Sequence, residues 1–474
     1  MKHHKLTPAR ATPLLTLILV AAWLLPASSA WAIPAFARRY QVVCNVCHSR
    51  EPRLNPFGVR FMENGYKMPA VVEDGKQGKY LLGGPLNGAT LDRVSEYLAF
   101  RVAQDATVAS FENSDANSNK IQTDFPSEID FWAAGPLNRN VSVWTEFVYD
   151  GAEQSFGVER AKVYLTDLLA KSAGYQTLNI AFGNFDASWD YPYLTERNDF
   201  HLQDPLSSAS HMVGMTHGPS TADSDGFEID PLDAFGFNGH AQHNIQVYGR
   251  PNGGHFAYMV GLTQDDSADD DPLRVWPWYV MGKYDIYSSP FDYLSLGVFY
   301  NQLPSIARPT LNLIGGPVFA NAPVDWNRYG ASVRWWHKAF DIFGAVTFDS
   351  TDSPDFTGTA GDGTTWDKTG MGASVDVTYL LTEKWLLAVR YDYVSPGGLV
   401  TLPAPLQGTA PAVNQTAQFA GVYAQYYMSP NLRIWMEGNA NLASAESLPD
   451  ALGGDVNPAR DQRHIVGVGF ELIF

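Results

Sequence analysis

The sequence predicts an all-β transmembrane barrel of about 16 antiparallel strands, with roughly 14 to 18 accepted, preceded by a small α-helical N-terminal segment. Three observations lead there. Only 17% of the 474 residues are charged and 13% are aromatic, whereas a soluble domain carries about 25% charged residues. Past the N-terminal stretch there is no run of about 18 uninterrupted apolar residues, so a helical span is excluded. From about residue 90 to the end, short runs of alternating polarity recur between turn signals, as strands do that face lipid on one side and a wet lumen on the other.

Taken in order, residues 1–32 hold Lys2, Lys5 and Arg10, then the apolar stretch from Leu14 to Leu25, then Ala30-Trp31-Ala32. This is the order of a secretory signal, read as cleaved after Ala32, and the apolar run is short for a retained anchor. Cleavage removes three basic and no acidic residues from a balance of 32 against 50, leaving 29 against 50 and a net charge of -21. An acidic, exported chain disfavours nucleic acid as a partner, and two cysteines make no disulfide framework.

Both cysteines lie in Cys44-Asn45-Val46-Cys47-His48, the C-x-x-C-H pattern that attaches one covalent haem c. Two thiols one helical turn apart can each add to a haem vinyl group, and the next residue presents its imidazole to the iron as proximal ligand. A structural zinc site would need two further ligands nearby, and a redox dithiol would need a βαβ context. For the distal ligand the local candidates are Met68 and Met62, with barrel histidines as more distant ones. Met68 is favoured because Gly65 and Tyr66 precede it and a glycine lets the chain turn back; the alternative is that both methionines pack on the porphyrin edge. Arg53, Arg60 and Lys67 are read either as propionate partners or as solvated surface charge.

The haem segment, residues 33–84, is too short to bury a haem unaided, since chains of about 40 to 50 residues rarely form a sufficient core. The remainder, residues 85–474, reads as the barrel. In the last strand His464, Val466, Val468, Phe470, Leu472 and Phe474 share one face and Gly467, Gly469 and Glu471 the other. An aromatic final residue on such a strand resembles bacterial outer-membrane proteins. Met371 to Tyr379 and Trp385 to Tyr393 form a hairpin across Leu380–Lys384, with aromatics at the strand ends as an interfacial girdle requires. Ile245 to Gly249 and Phe256 to Leu262 form a second across Arg250-Pro251-Asn252-Gly253-Gly254, and Phe419 to Tyr427 with Leu432 to Met436 a third. An interior of this size holds water or a plug. External loops are expected at Asn113–Asp124, Gln264–Pro272, Thr351–Lys368, Pro403–Gln415 and Ser444–Arg463. Six of eleven histidines, His201, His211, His217, His240, His243 and His255, fall in one carboxylate-rich region. They read as a metal site or as a long polar loop.

The run Pro34-Ala35-Phe36-Ala37-Arg38, the C-x-x-C-H motif, Leu54-Asn55-Pro56-Phe57-Gly58, Phe61 and Asn64-Gly65-Tyr66 resembles the fused outer-membrane monohaem cytochrome-porins of iron-oxidising bacteria. The resemblance implies a small cytochrome ahead of a barrel of about 16 strands, with Cys44 and Cys47 holding the haem and His48 its proximal ligand. It also implies oxidation of extracellular Fe(II), an iron(II) oxidase activity, with the electron passed to a soluble periplasmic cytochrome, in the outer membrane of a Gram-negative bacterium and in contact with its lipid. The chain departs from the family pattern at Val42-Val43 and Ser49-Arg50-Glu51-Pro52, which bears on the electron donor. A cytochrome segment inside the lumen would borrow the barrel wall for its core and is expected to bring the haem toward the outer mouth. Two other functions remain: a redox conduit for another donor or acceptor, and a diffusion porin whose haem segment is only a plug. The acidic run Asp265, Asp266, Asp269, Asp270 and Asp271 would attract a divalent cation.

Overall fold

The computed structural model describes residues 35–40, 42–50, 53–68, 96–111, 120–123, 125–151, 154–185, 242–264, 278–289, 292–303, 312–313, 316–317, 326–351, 365–366, 369–395, 399–401, 417–429, 431–442 and 462–473. The expected export signal lies outside them. The barrel strands are β1 (Leu98–Phe111), β2 (Lys120–Gln122 and Glu128–Pro136), β3 (Val141–Asp150), β4 (Ser155–Leu165), β5 (Asn179–Phe185), β6 (Gln242–Gly249), β7 (Phe256–Gln264) and β8 (Trp278–Ser289). They continue with β9 (Asp292–Leu303), β10 (Trp326–His337), β11 (Phe340–Thr351), β12 (Thr369–Leu380), β13 (Trp385–Ser395), β14 (Ala417–Ser429), β15 (Leu432–Asn441) and β16 (Gln462–Ile473). Seventeen hydrogen-bonded segments make the ring, and the two lying end to end along β1 form one position, so the barrel has 16 strands. Each strand is antiparallel to its neighbours, and β16 closes on β1, with Val466 opposite Val108 and Leu472 opposite Val102.

Period-two patterning sets which face each side chain takes. On β13, Trp385, Leu387, Val389 and Tyr391 are exposed while Leu386, Ala388, Arg390 and Asp392 are buried. On β16, His464, Val466 and Val468 are exposed and Gly467 and Glu471 buried. The apolar side chains therefore face outward and the charged ones inward, the reverse of a soluble barrel and the arrangement lipid demands. Aromatic pairs mark both rims: Phe340 with Tyr379 and Trp385 with Tyr426 (ring centroids 4.7 and 4.8 Å) on the short-turn side, and Trp278 with Tyr300 (5.0 Å) on the other.

The three hairpins expected from the sequence are present as β12–β13, β6–β7 and β14–β15. The first external loop is shorter than expected. Lys120–Gln122 pairs with Thr107–Ala109 of β1, because β1 is 14 residues long and its upper end offers backbone partners above Glu128. Thr365–Trp366, inside the expected loop Thr351–Lys368, pairs with Leu399–Thr401, which precedes the expected loop Pro403–Gln415, and Gln462 and Arg463 belong to β16. The expected loop over Pro403–Gln415, and most of those over Gln264–Pro272 and Ser444–Arg463, lie outside the described residues.

With an even number of strands, β1 begins and β16 ends at the same mouth, the one carrying the short turns. The N-terminal segment enters there. It comprises α1 (Ala35–Tyr40), a 3-10 turn at Cys44–Val46, a hairpin of His48–Arg50 with Arg53–Leu54, α2 (Pro56–Glu63) and the return Asn64–Met68. This segment is a plug. Phe61, Met62, Tyr66 and Met68 share one apolar cluster with the inward residues Trp144, Tyr164 and Phe343 of β3, β4 and β11.

Candidate functional site

The C-x-x-C-H sequence closes on itself, the Val46 and Cys47 amides donating to the Val43 and Cys44 carbonyls at 3.1 Å each. Both thiols are free of any disulfide, and burial pushes the Cys47 thiol up to about 12. His48 leaves this turn half-buried at the start of the small hairpin.

Asn55 ties the turn to α2. Its backbone amide donates to the Cys47 carbonyl (2.8 Å), its side-chain amide donates to the Val46 carbonyl (2.8 Å), and its side-chain oxygen accepts from the Gly58 amide (2.9 Å). Asn55 is thus the N-cap of α2, with Pro56 at the first helical position, the arrangement both residues favour. Gly58 permits the crossing, since a Cβ there would collide with the Cys47 carbonyl oxygen. At the far end of α2, Gly65 and Tyr66 adopt positive φ values of 65° and 60°. The chain turns back as the glycine suggested, bringing Met68 into the cluster that holds Met62, with Cys47 packed against it.

The segment's charges are bound to the barrel. Arg53, fully buried, pairs with Asp376 on β12 and with Asp341 on β11 (Nε to Oδ2, 3.4 Å) and donates to Thr378 (3.1 Å). Glu63 accepts from Arg250 (2.8 and 3.1 Å) and pairs with Lys283. Burial would raise this carboxyl, but the Arg250 guanidinium and Lys283 ammonium outweigh it and hold it down at about 2. Lys67 reaches the Arg139 carbonyl (2.9 Å), Thr166 (2.7 Å) and Asp167 (3.0 Å), and Arg60 donates to the Tyr287 hydroxyl (2.8 Å). Arg53 and Lys67 are therefore not solvated surface charge.

Arg139, Thr166, Asp167 and Arg250 lie in short turns, and Asp341, Thr378 and Tyr287 lie within two residues of the strand end beside one, so the plug and its C-x-x-C-H turn sit toward the short-turn mouth, the periplasmic one in barrels of this kind. The sequence had suggested the outer mouth. The position is set by the ion pairs of Arg53, Glu63 and Lys67, whose partners lie toward that end of the strands.

Two thiols outside any disulfide on one closed turn, an imidazole next in sequence and two buried thioethers in the cluster that Cys47 joins form a donor set that fits a haem c. Among the described residues no three His, Cys, Asp or Glu side chains gather as a metal site. Of the histidine-rich region, His201, His211, His217 and His240 lie outside the described residues. His243 is exposed on the outer face of β6, and His255 bonds the Asp285 carbonyl through Nδ1 (2.6 Å). Sequence reasoning missed Asn55, although its Asn-Pro pair signals a helix start, and missed Glu63, whose partners are far away in the chain.

The closed ring, its outward apolar face and its charged interior make this chain a porin-like β-barrel of the Gram-negative outer membrane. Among solved structures it is similar to an anion-selective porin from Comamonas acidovorans, at 12% identity and a TM-score of 0.49 over 80% of this chain and 98% of that one. It is also similar to in-vitro folded OmpT, an outer membrane protein of Vibrio cholerae (10%, 0.48, over 80% and 97%), and to Salmonella typhi OmpF in complex with daunomycin (11%, 0.47, over 80% and 97%). No family model and no curated protein matches the chain.

Proposed function

We propose that this barrel is an electron-transfer protein that oxidises extracellular Fe(II) and passes the electron to a soluble periplasmic cytochrome. The observation that carries this reading is a closed C-x-x-C-H turn, its thiols in no disulfide, held inside a closed outer-membrane barrel by buried ion pairs. Cys44 and Cys47 would hold one haem c, His48 would be its proximal ligand, and Met68, or else Met62, its distal one. A bound haem c supplies one-electron exchange, with a potential that the axial thioether raises. Fe(II) gives one electron and leaves as Fe(III), so no bound-substrate chemistry is needed. Asn55 fixes the turn that carries the thiols, while Arg53, Glu63 and Lys67 keep it at the periplasmic mouth, where a soluble acceptor can approach. Fe(II) would reach it from the opposite mouth through the lumen. The acidic run Asp265 to Asp271, outside the described residues, would concentrate the cation.

The test is reduction of the purified full-length protein by Fe(II) at near-neutral pH, followed by difference spectra. The haem band is expected to become reduced at a rate that falls as salt rises. If Fe(II) leaves it oxidised while another small reductant acts readily, the chain is a redox conduit for a different donor. If a Cys44→Ser, Cys47→Ser double variant assembles, keeps or gains conductance and loses no physiological role, the diffusion-porin reading replaces both.

A further inference from the structure

The two mouths of the barrel differ in charge. At the long-connection mouth, residues 186–241 between β5 and β6 hold ten acidic side chains and one basic, and residues 265–277 between β7 and β8 hold five and one. Among the described residues of the short turns, the exposed charged side chains are Arg139, Lys171, Lys338, Lys384 and Glu383. A chain whose expected mature charge is -21 therefore turns a basic face to the periplasm. One part of that face is built as a platform. Residues 166–178, between β4 and β5, form the longest of the short turns, 13 residues where the others have six at most. The Thr166 amide donates to the Asn140 carbonyl and the Asn140 side chain donates to the Thr166 carbonyl (2.8 Å each). From the β6–β7 turn, the Arg250 amide donates to the Gln176 carbonyl (2.7 Å) and the Asn252 amide to the Tyr175 carbonyl (3.1 Å). One oxygen of Asp167 accepts from the Gln176 amide (2.7 Å), and the other holds Lys67 of the plug (3.0 Å). Three turns and the plug's return thus form one bonded surface. It leaves Leu169 and Tyr175 each 39% exposed, with Lys171 between them in sequence and Arg139 on the adjoining turn. Apolar side chains framed by cations match the makeup of a protein interface, apolar at its centre and polar at its rim. Lipid is the other candidate to cover them. The outward-facing Tyr258, however, already reaches the Thr177 carbonyl with its hydroxyl (2.8 Å), and Leu168 bonds back to Leu178 (3.1 Å). Residues 169–175 accordingly lie beyond the outward aromatics, on the aqueous side.

We propose that this platform is the docking face for an acidic soluble protein of the periplasm, whose carboxylates meet Arg139 and Lys171 while an apolar side chain covers Leu169 and Tyr175. The inference rests on the electron-transfer reading above and gives the acceptor its surface chemistry. Docking here sets the partner against the plug's return, because Lys67, bound by Thr166 and Asp167, immediately precedes Met68.

The test places the full-length protein, purified from outer membranes, in phosphatidylcholine nanodiscs and measures binding of a soluble c-type cytochrome of low isoelectric point. Binding is expected, and it should weaken as salt rises. Arg139→Glu with Lys171→Glu is expected to weaken it about tenfold, since like charges then face each other. Leu169→Ser should weaken it less, by an amount that salt does not change. Lys338→Glu with Lys384→Glu makes the same change of charge on the β10–β11 and β12–β13 turns, across the ring from the platform. At more than a screening length away, it is expected to alter binding by less than about twofold. Should the Arg139 and Lys171 double variant not assemble, Lys171→Glu alone is read the same way. A parent that does not bind, a double variant that binds like the parent, or an equal loss from the Lys338 and Lys384 pair overturns the proposal. So does a parent that ignores the cytochrome yet is stabilised by phosphatidylglycerol through Arg139 and Lys171, which would make the face a lipid anchor. Binding is read without electron transfer. A haem-free barrel that still binds the probe therefore keeps the docking face and defeats the electron-transfer reading, whereas a haem-bearing barrel that does not bind it defeats only the docking face.

Discussion

Asn55 shows how much one side chain near the motif controls. It caps α2 and clamps the Val46 and Cys47 carbonyls, so Asn55→Ala removes a cap worth about 1 kcal/mol and frees the turn as well. The expected outcome is an assembled barrel with reduced haem content and a plug that proteases cut sooner, while Asn55→Asp, which keeps the acceptor for the Gly58 amide, falls between. Cys47 bears on the order of events. Burial pushes its thiol up to about 12, and a thiol must be accessible to add across a vinyl group, so on the proposed reading a haem would be attached before the barrel closes. In haem-free barrels Cys47 is expected to resist alkylation at pH 8, and mass spectrometry after quenching would show it; rapid modification would place attachment after folding. For the distal ligand, Met68→Ala is expected to turn a low-spin spectrum high-spin and lower the potential. An unchanged spectrum would shift the assignment to Met62.

At the scale of elements, the plug is held through its hairpin by Arg53, through the end of α2 by Glu63 and through the return by Lys67. Removing one member of a buried ion pair costs about 3–5 kcal/mol, because the partner stays buried and uncompensated. Glu63→Ala, which strands Arg250 and Lys283, is expected to unseat α2 and raise conductance in planar bilayers; conductance equal to the parent's would show that the pair does not hold the plug. The Glu63 carboxyl sits at about 2 in the folded state against an ordinary 4.5. Its stabilisation is therefore complete above 4.5 and is lost as pH falls from there toward 2, so the plug should loosen across that window. The hairpins were legible in the sequence because period two and turn residues are local signals. The latch was not, because Glu63 and Arg250 are 187 residues apart and Arg53 and Asp376 are 323 apart. A buried arginine in a short polar stretch looks in sequence like any surface arginine.

For the whole molecule, the number and outward patterning of strands could be read from residue order, and so could the thiols and imidazole of the motif. Its depth in the barrel could not, because that depends on ion pairs between residues far apart in the chain. The plug is held at the short-turn mouth, so under the proposed function an external donor would descend the lumen while a periplasmic acceptor would meet the plug directly. That asymmetry bears on electron transfer only where the chain carries a haem. The most direct measurement is the covalent haem content of the heat-modifiable barrel purified from outer membranes, taken by haem staining and absorbance against protein. The account predicts one haem per chain, absent from the Cys44→Ser, Cys47→Ser variant. A barrel without haem, or haem recovered only in soluble periplasm, would contradict it.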